Sequence, residues 1–471
     1  MNTVVICVPR HSGRGPSDAI QNRAQTHRRR GRLRADPPRR LRHQQRRRRH
    51  DRRRQGAARR QRAAPTTQAF ERELFDERVR EFEEANPDID IVPHEGFMDP
   101  KTFSAKLAGG KLEDVFYVYF TDARPLIEKN QAADITDAVA DMPRRDEIQD
   151  GLMEVFQDEE GRQYGLPTAN YSMGLLYNRD LFEKAGLDPD EPPSTWKDVR
   201  AAAKRIAELD EDTVGYADFS KNNQGGWHFT AELYSRGGRV AEESGGKWKA
   251  AFNTPEGRAT LQTLHDMRWK DGSMGSKQLL QAEDAQRMMG AGNLGMYLAA
   301  ADNISVIAKQ FGGAYPDYGL APMPEGGGTL LGGEGYMINP KASPEQIEAG
   351  VRWIQWKYLD PETTEQDVVD YVEDDLPVGL PMPPTPDIWK GPARERIEEL
   401  KEGNANVPVE NYASFMAAAP DLPGVIEPPQ AQEVYAVLDS VMQAVLTEED
   451  ADIDRLLDDA EKKVDDIYSA S

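Results

Sequence analysis

Cysteine is almost absent. Cys7 is the only one in 471 residues, so a disulfide within the chain and a cysteine-lined metal cage are both excluded. Long apolar runs are missing as well: no stretch of 18 or more apolar residues occurs, so none can span a bilayer as a helix. Histidine is sparse. Beyond residue 65 only His94, His228 and His265 remain, without the pair on one helical face that a metal site requires. No cofactor and no metal are therefore expected. Motifs of phosphate and acyl chemistry are also lacking. Gly109-Gly110-Lys111 runs into Leu112 and is not a phosphate loop, and no Gly-x-Ser-x-Gly elbow appears.

Lysine is wholly absent from residues 1–65, which hold 21 arginines and 3 aspartates. The tract 28–62 is nearly all Arg, His, Gln, Pro and Ala, including Arg46-Arg47-Arg48-Arg49. Like charges at that density repel, and too little apolar surface exists to offset the entropy of ordering. Residues 1–65 are expected to lack packed structure. A nucleic-acid-binding arm is one reading of such a tract, but a phosphate-binding arm mixes both cations, and arginine without lysine is what a GC-rich gene yields out of frame. A mis-called start or a shifted frame over the true amino terminus is the expectation, and no nucleic-acid partner is assigned. A secretory signal needs a basic region, an apolar stretch and a small-residue cleavage site; residues 1–8 are apolar but too short, and no recognisable signal follows.

What is abundant is acid. The overall charge is −22, and residues 66–471 alone carry 38 basic against 78 acidic residues. Such a body repels nucleic acid and anionic membrane surfaces. With 38% hydrophobic residues, the chain can build globular cores, and its length suits two domains.

From Thr66 the pattern becomes regular. Phe70, Leu74, Phe75, Val79 and Phe82 recur at helical spacing, and Asn86-Pro87 ends that helix. Ile89, Ile91 and Val92 read as a strand, Phe103–Leu107 as a helix, and Asp114–Phe120 as a buried strand. The alternation predicts an α/β fold with a mostly parallel sheet covered by helices. Further on, Gly165–Asn178 is extended, Ser194 or Thr195 caps a helix through Val199–Leu209, and Leu294–Leu298 is a strand. Gly326–Gly335 reads as a glycine-rich connection, Gln346–Leu359 as an amphipathic helix, and Ala431–Tyr468 as two more helices.

Several phrases resemble the family 1 extracellular solute-binding proteins, the carbohydrate-binding proteins of ABC importers. They are Tyr164-Gly165-Leu166-Pro167, Leu175–Gly186 (LLYNRDLFEKAG) and Pro192–Trp196 (PPSTW), supported by Gly225–Phe229 (GGWHF), Leu294–Tyr297, Tyr318–Pro324 and Gly332–Asn339 (GGEGYMIN). Together they cover about residues 66–471. The resemblance implies a two-lobed periplasmic-binding-protein-like fold with a hinge and an interlobe ligand cleft. Lobe one would take residues 66–172 and 323–365, and lobe two 173–322 and 366–471. It also implies an extracytoplasmic monomer, not an enzyme, that delivers a mono- or oligosaccharide to ABC permease subunits. Members begin with an apolar strand before the first helix; here Arg59–Thr67 stands in that place and cannot supply one.

A sugar offers hydroxyls at its edge and C–H groups on its faces, so its site needs flat aromatics and planar hydrogen-bonding groups. Trp227, beside two glycines that leave room for a ligand, and Tyr171, after the crossing motif, are the aromatic candidates. Tyr297 reads as core. Asp122 follows the strand ending at Phe120, and Asp302 and Asn303 follow the strand at Leu294–Leu298; strand carboxyl ends are where open α/β sheets bind ligands. Each could instead cap a helix. Glu334 stands among Gly332, Gly333 and Gly335, where backbone and ligand come close. Glu95 or Phe97 is a weaker candidate by the strand-end rule. A hydrolase with paired carboxylates is the alternative from the enzyme class, since so many acids make chance pairs unavoidable.

Overall fold

The computed structural model describes residues 2–7, 67–95, 100–381, 384–385, 387–418 and 422–470. Two compact units divide the chain, Cys7–Ile91 and the remainder. In the first, α1 (Thr67–Ala85) buries Phe75, Val79 and Phe82, the stripe that the helical spacing predicts. The helix stops where Asn86 turns both its backbone N–H and its side-chain amide onto the Phe82 carbonyl, at 2.8 and 2.9 Å.

The second unit is built on one mixed sheet. Its strands include β1 (Asn2–Cys7), β3 (Val115–Tyr119), β4 (Gly165–Asn178), β5 (Val214–Tyr216), β8 (Leu294–Ala300), β9 (Tyr318–Ala321), β10 (Thr329–Ile338) and β11 (Gly424–Ile426). Of the numbers between, β2 (Asp90–Glu95) straddles the two units, and β6 (Ala241–Ser244) and β7 (Lys247–Ala250) form a separate hairpin. The order β1-β3-β10-β4-β8-β5 carries β9 against β4 and β11 against β10.

Three findings differ from the sequence reading. First, the pairs β1–β3, β3–β10, β10–β4, β4–β8 and β4–β9 are antiparallel, and only β5–β8 and β10–β11 are parallel. The long strands β4 and β10 lie side by side and each also belongs to a different neighbour, so they stitch the two ends of the sheet together in opposite directions. Second, the segment read as a glycine connection is the central strand β10. Its glycines answer neighbours: a Cβ on Gly332 would lie 2.1 Å from the Tyr171 hydroxyl, one on Gly333 2.5 Å from the Phe120 ring, and one on Gly335 2.5 Å from the Phe156 ring. Third, residues 1–65 are not uniformly without structure, because Asn2–Cys7 is a strand that pairs with β3 at Val4 and Val115. The β-branched run Thr3-Val4-Val5-Ile6 has the propensity for it. Residues 8–66, and with them all of the Arg59–Thr67 stretch but Thr67, lie outside the described residues.

Helices cover both faces. They include α2 (Pro100–Ala108), α3 (Phe120–Glu128), α4 (Arg179–Lys184), α5 (Trp196–Ala207), α6 (Gln224–Ser235), α7 (Pro255–His265), α8 (Ala282–Gly290) and α9 (Asp302–Gln310). After them come α10 (Pro344–Tyr358), α11 (Pro361–Glu373), α12 (Gly391–Gly403), α13 (Ala413–Ala418), α14 (Ala431–Thr447) and α15 (Ile453–Ala470). Thr195, not Ser194, caps α5, its Oγ1 accepting the Asp198 N–H at 3.1 Å. Strand alternation sorts the core at the β8 end of the sheet. Met173, Leu175, Tyr177, Met296 and Leu298 face α5, α6, α14 and α15, while Leu176, Tyr297 and Ala299 face Ile304, Ile307 and Leu320. Toward the β3 end, β10 is followed by α10, which buries Trp353 and Ile354 and starts on a reciprocal cap between Ser343 and Gln346. Among the described residues no helix is long and apolar enough to cross a membrane.

Candidate functional site

The aromatic members of the site are set by two different elements. Tyr171 sits in β4 opposite Gly332 of β10, and its ring occupies the space that the missing Cβ leaves. Trp227 is on α6, near its amino end. That end is held by α14: the Gly225 N–H donates to Asp439 Oδ1 at 2.8 Å, and a Cβ on Gly226 would lie 2.3 Å from the Tyr435 carbonyl oxygen. The two glycines before Trp227 thus serve close helix packing rather than ligand approach, a correction to the sequence reading. Trp227 is half-buried and touches the cores on both faces of the sheet. Its indole lies beside the Tyr171 hydroxyl and works against the rise of that phenol.

Carboxylates surround this pair. Asp122 stands in the first turn of α3 and not at its N-cap, which is Tyr119; its carboxyl turns back to the Tyr119 backbone, so it does not form the cap expected for Ala123–Glu128. Burial pushes its pKa up to about 6, and the Glu433 charge adds to the rise. Glu334, on β10, faces β3 and accepts the Tyr117 hydroxyl; burial raises it, and Asp302 raises it further. Asp302 opens α9 and is likewise raised by burial. The Tyr171 phenol is driven well above its usual range by burial first, then by Glu427 and Asp302.

Of the predicted residues, Asp122, Tyr171, Trp227, Asp302 and Glu334 thus act on one neighbourhood. Asn303 does not present itself in the same way. Its carbonyl oxygen accepts Gln286 Nε2 at 2.8 Å and the Tyr297 hydroxyl at 3.1 Å, and its amide donates to Asp302 Oδ1 at 3.2 Å. It steadies Asp302. Tyr297 is fully buried. The Glu95 side chain and Phe97 lie outside the described residues.

Sequence reasoning missed Glu427, between β11 and α14. Burial pushes it up to about 7, with Asp122 contributing, and it accepts the Tyr435 hydroxyl at 3.0 Å. Glu433, on α14, was missed too. An isolated acid before Pro428-Pro429 carries no local signal; only the return of α14 to α6 brings it here. Beside Tyr171 a recess opens, lined by Ser172, Ala301, Asp387, Arg394 and Phe415 among others. Among the described residues, no group of three or more His, Cys, Asp or Glu side chains could hold a metal ion.

Comparison with known proteins gives these observations a context. The model of the bacterial extracellular solute-binding protein family matches residues 63–364. The sn-glycerol-3-phosphate-binding periplasmic protein of Agrobacterium fabrum is 25% identical over 281 residues, 55% of this chain and 61% of that relative. The chain thus aligns with about three fifths of the curated relatives' length. Among solved structures, a solute-binding protein of an ABC transporter from Thermotoga lettingae, bound to α-D-tagatose, superposes with a TM-score of 0.65 at 20% identity, covering 84% of this chain and 96% of its own. The cyclic α-maltosyl-1,6-maltose binding protein of Arthrobacter globiformis gives 0.63 at 22%, covering 85% and 96%. At these identities the superpositions establish the two-lobed fold with its hinge and interlobe cleft.

Proposed function

Given that the chain belongs to the bacterial extracellular solute-binding proteins, we propose that it binds a neutral carbohydrate or polyol and delivers it to the membrane subunits of an ABC importer. The observation that carries the choice of ligand is the make-up of the cleft. Tyr171 and Trp227 offer ring faces, and Asp122, Asp302, Glu334 and Glu427 offer carboxyl oxygens; Arg394 lines the recess beside Tyr171, but Asp387 and Glu398 line it too, so acids outnumber bases. Sugar C–H faces stack on the rings, and hydroxyls donate to the oxygens. A phosphate ester would meet more acids than bases there, so the glycerol phosphate in one relative's name is the less suited ligand here.

The mechanism follows from two lobes with one ligand between them. We take lobe one as residues 66–172 and 323–365, and lobe two as 173–322 and 366–471, with β4 as one crossing and the stretch between β9 and β10 as another. Ligand contacts made by both lobes favour the closed form, and hinge motions of this kind take about microseconds to milliseconds. Capture followed by release suits a micromolar dissociation constant, about −8 kcal/mol. The chain acts as a monomer and changes no bond in its ligand.

The test is a thermal-shift and calorimetric screen of neutral mono- and oligosaccharides and polyols beside glycerol 3-phosphate. At least one neutral ligand should stabilise the protein and be recovered intact by mass spectrometry, while glycerol 3-phosphate should not. Stabilisation by the phosphate ester alone would overturn the ligand class, and a cleaved sugar would favour the carboxylate-pair hydrolase.

A further inference from the structure

Behind Trp227, inside the domain, lies a polar cluster that the cleft does not use. Asp218 follows β5, and His228 and Glu232 lie on α6; all three are at most 2% exposed. His228 Nδ1 meets Asp218 Oδ1 at 2.8 Å, and the Phe219 N–H donates to the same oxygen at 2.6 Å. The Tyr216 hydroxyl donates to Glu232 Oε1 at 3.2 Å. That leaves Asp218 Oδ2, Glu232 Oε2 and His228 Nε2 buried without a partner among the described residues. Three orphans in one place would be costly, at about 1–3 kcal/mol each.

One proton resolves two of them. The Asp218 and Glu232 carboxyls are within hydrogen-bonding reach of each other. If Glu232 is protonated, its O–H donates to Asp218 and both loose oxygens are satisfied. The third orphan is explained by a neutral imidazole that donates from Nδ1 and leaves a bare lone pair at Nε2. We propose that Asp218 and Glu232 share a single buried proton, and that this pair, through neutral His228, is the positioning device for Trp227.

The link to Trp227 is direct. Its ring lies 5.1 Å from that of His228, which in turn stacks on Phe219 at 3.9 Å. Burial raises Glu232, then the Asp218 charge raises it further; burial lowers His228 to about 3. The other titratable groups facing the pair are Tyr216 from β5, whose own phenol is raised by burial and by Glu232, and Arg236 at the end of α6. Arg236 is shared with Glu325 and lies over the Trp196 ring at 5.2 Å. Loss of the shared proton would put two carboxylates side by side in the core and drive α6 away from β5. The role assigned to Trp227 rests on the proposed cleft; the shared proton does not.

Infrared spectroscopy of the whole protein in light and heavy water reads protonated carboxyls directly. At about pH 8, above the values to which Asp122 and Glu427 are pushed, a deuterium-sensitive carboxylic C=O band should persist, because a coupled pair titrates as a unit. Glu232→Gln should remove it, and Asp218→Asn should shift its frequency, since burial still holds the Glu232 proton while its acceptor changes; a band unmoved by both overturns the pair. Absence of the band in the unaltered protein overturns the shared proton, and that measurement needs no variant to fold. Trp227 emission, taken as the difference between the native protein and Trp227→Phe, should move as alkali removes the band, before far-UV circular dichroism changes. In Glu232→Gln it should stay constant over the same range. A native Trp227 emission that stays fixed while the band disappears overturns the positioning role. Neither readout requires a bound sugar, so a failed ligand screen leaves both standing.

Discussion

Trp227 concentrates what one side chain contributes. It is half-buried, set beside Tyr171, and packed on both cores. Trp227→Ala removes the ring platform, and loss of a central aromatic anchor commonly costs about 2 kcal/mol or more, at least roughly twentyfold in affinity. Because the ring also touches the cores, unfolding of the ligand-free variant should show a loss of about 1–2 kcal/mol. Trp227→Phe should recover most of the stability and part of the affinity. Calorimetry and denaturant titration on the same samples separate the two; unchanged affinity with a large stability loss would make the tryptophan purely core. Tyr171, Trp227, Asp122 and Asp302 could be picked out from motif context and strand ends. Asn303 could not be judged that way, since its carbonyl is taken by Gln286 and Tyr297, a contact no local pattern announces.

At the scale of elements, the glycines decide how closely helices and strands approach. Gly226 packs α6 on α14 so tightly that a Cβ would stand 2.3 Å from one backbone atom of Tyr435 and 2.5 Å from another. Backbone cannot rotate aside, so Gly226→Ala should destabilise by about 3 kcal/mol, at the upper end of overpacking costs. Gly151 is the control: helical and exposed, it has nothing within 4 Å of an added Cβ. Gly151→Ala should be neutral or stabilising by up to about 1 kcal/mol. Denaturant midpoints with an unchanged slope check both. The same physics explains why β10 escaped recognition. Glycine-rich text reads as a loop when only near neighbours are considered, whereas here the glycines admit Tyr171, Phe120 and Phe156 from far along the chain.

For the whole molecule, buried acids set the pH response. Asp122 and Glu427 have folded-state pKa values of about 6 and about 7, above their ordinary 3.8 and 4.5. A raised folded value means folding takes up protons, so their contribution is complete below the ordinary values and is lost as pH rises through about 6 to 7. Asp266 works in the opposite sense: Lys270, Gln262 and Arg200 outweigh its burial and hold it low, so its contribution is lost in acid. Ligand-free thermal stability should therefore peak in mildly acidic solution. From there to about pH 8 it should fall by a few kcal/mol, at roughly 1.4 kcal/mol per pKa unit. Salt screens the repulsion of the acidic surface but not these buried groups. The decline should survive added salt and shrink in the Asp122→Asn, Glu427→Gln double variant; a decline abolished by salt alone would assign it to the surface.

Local pattern was enough to establish the alternation of strands and helices, the apolar stripe of α1, the extended crossing at Gly165–Asn178 and the phrases that mark the family. Each depends on residues within a few positions of one another, where periodicity and turn chemistry act. Tertiary structure alone decided that β10 is a central strand, that most pairs are antiparallel, that Asn2–Cys7 lies beside β3, and that Glu427 and Glu433 join Asp122. The reason is physical: burial, close packing and the pKa of a carboxyl are set by whatever the fold brings within a few ångströms, however far apart those groups stand in the chain.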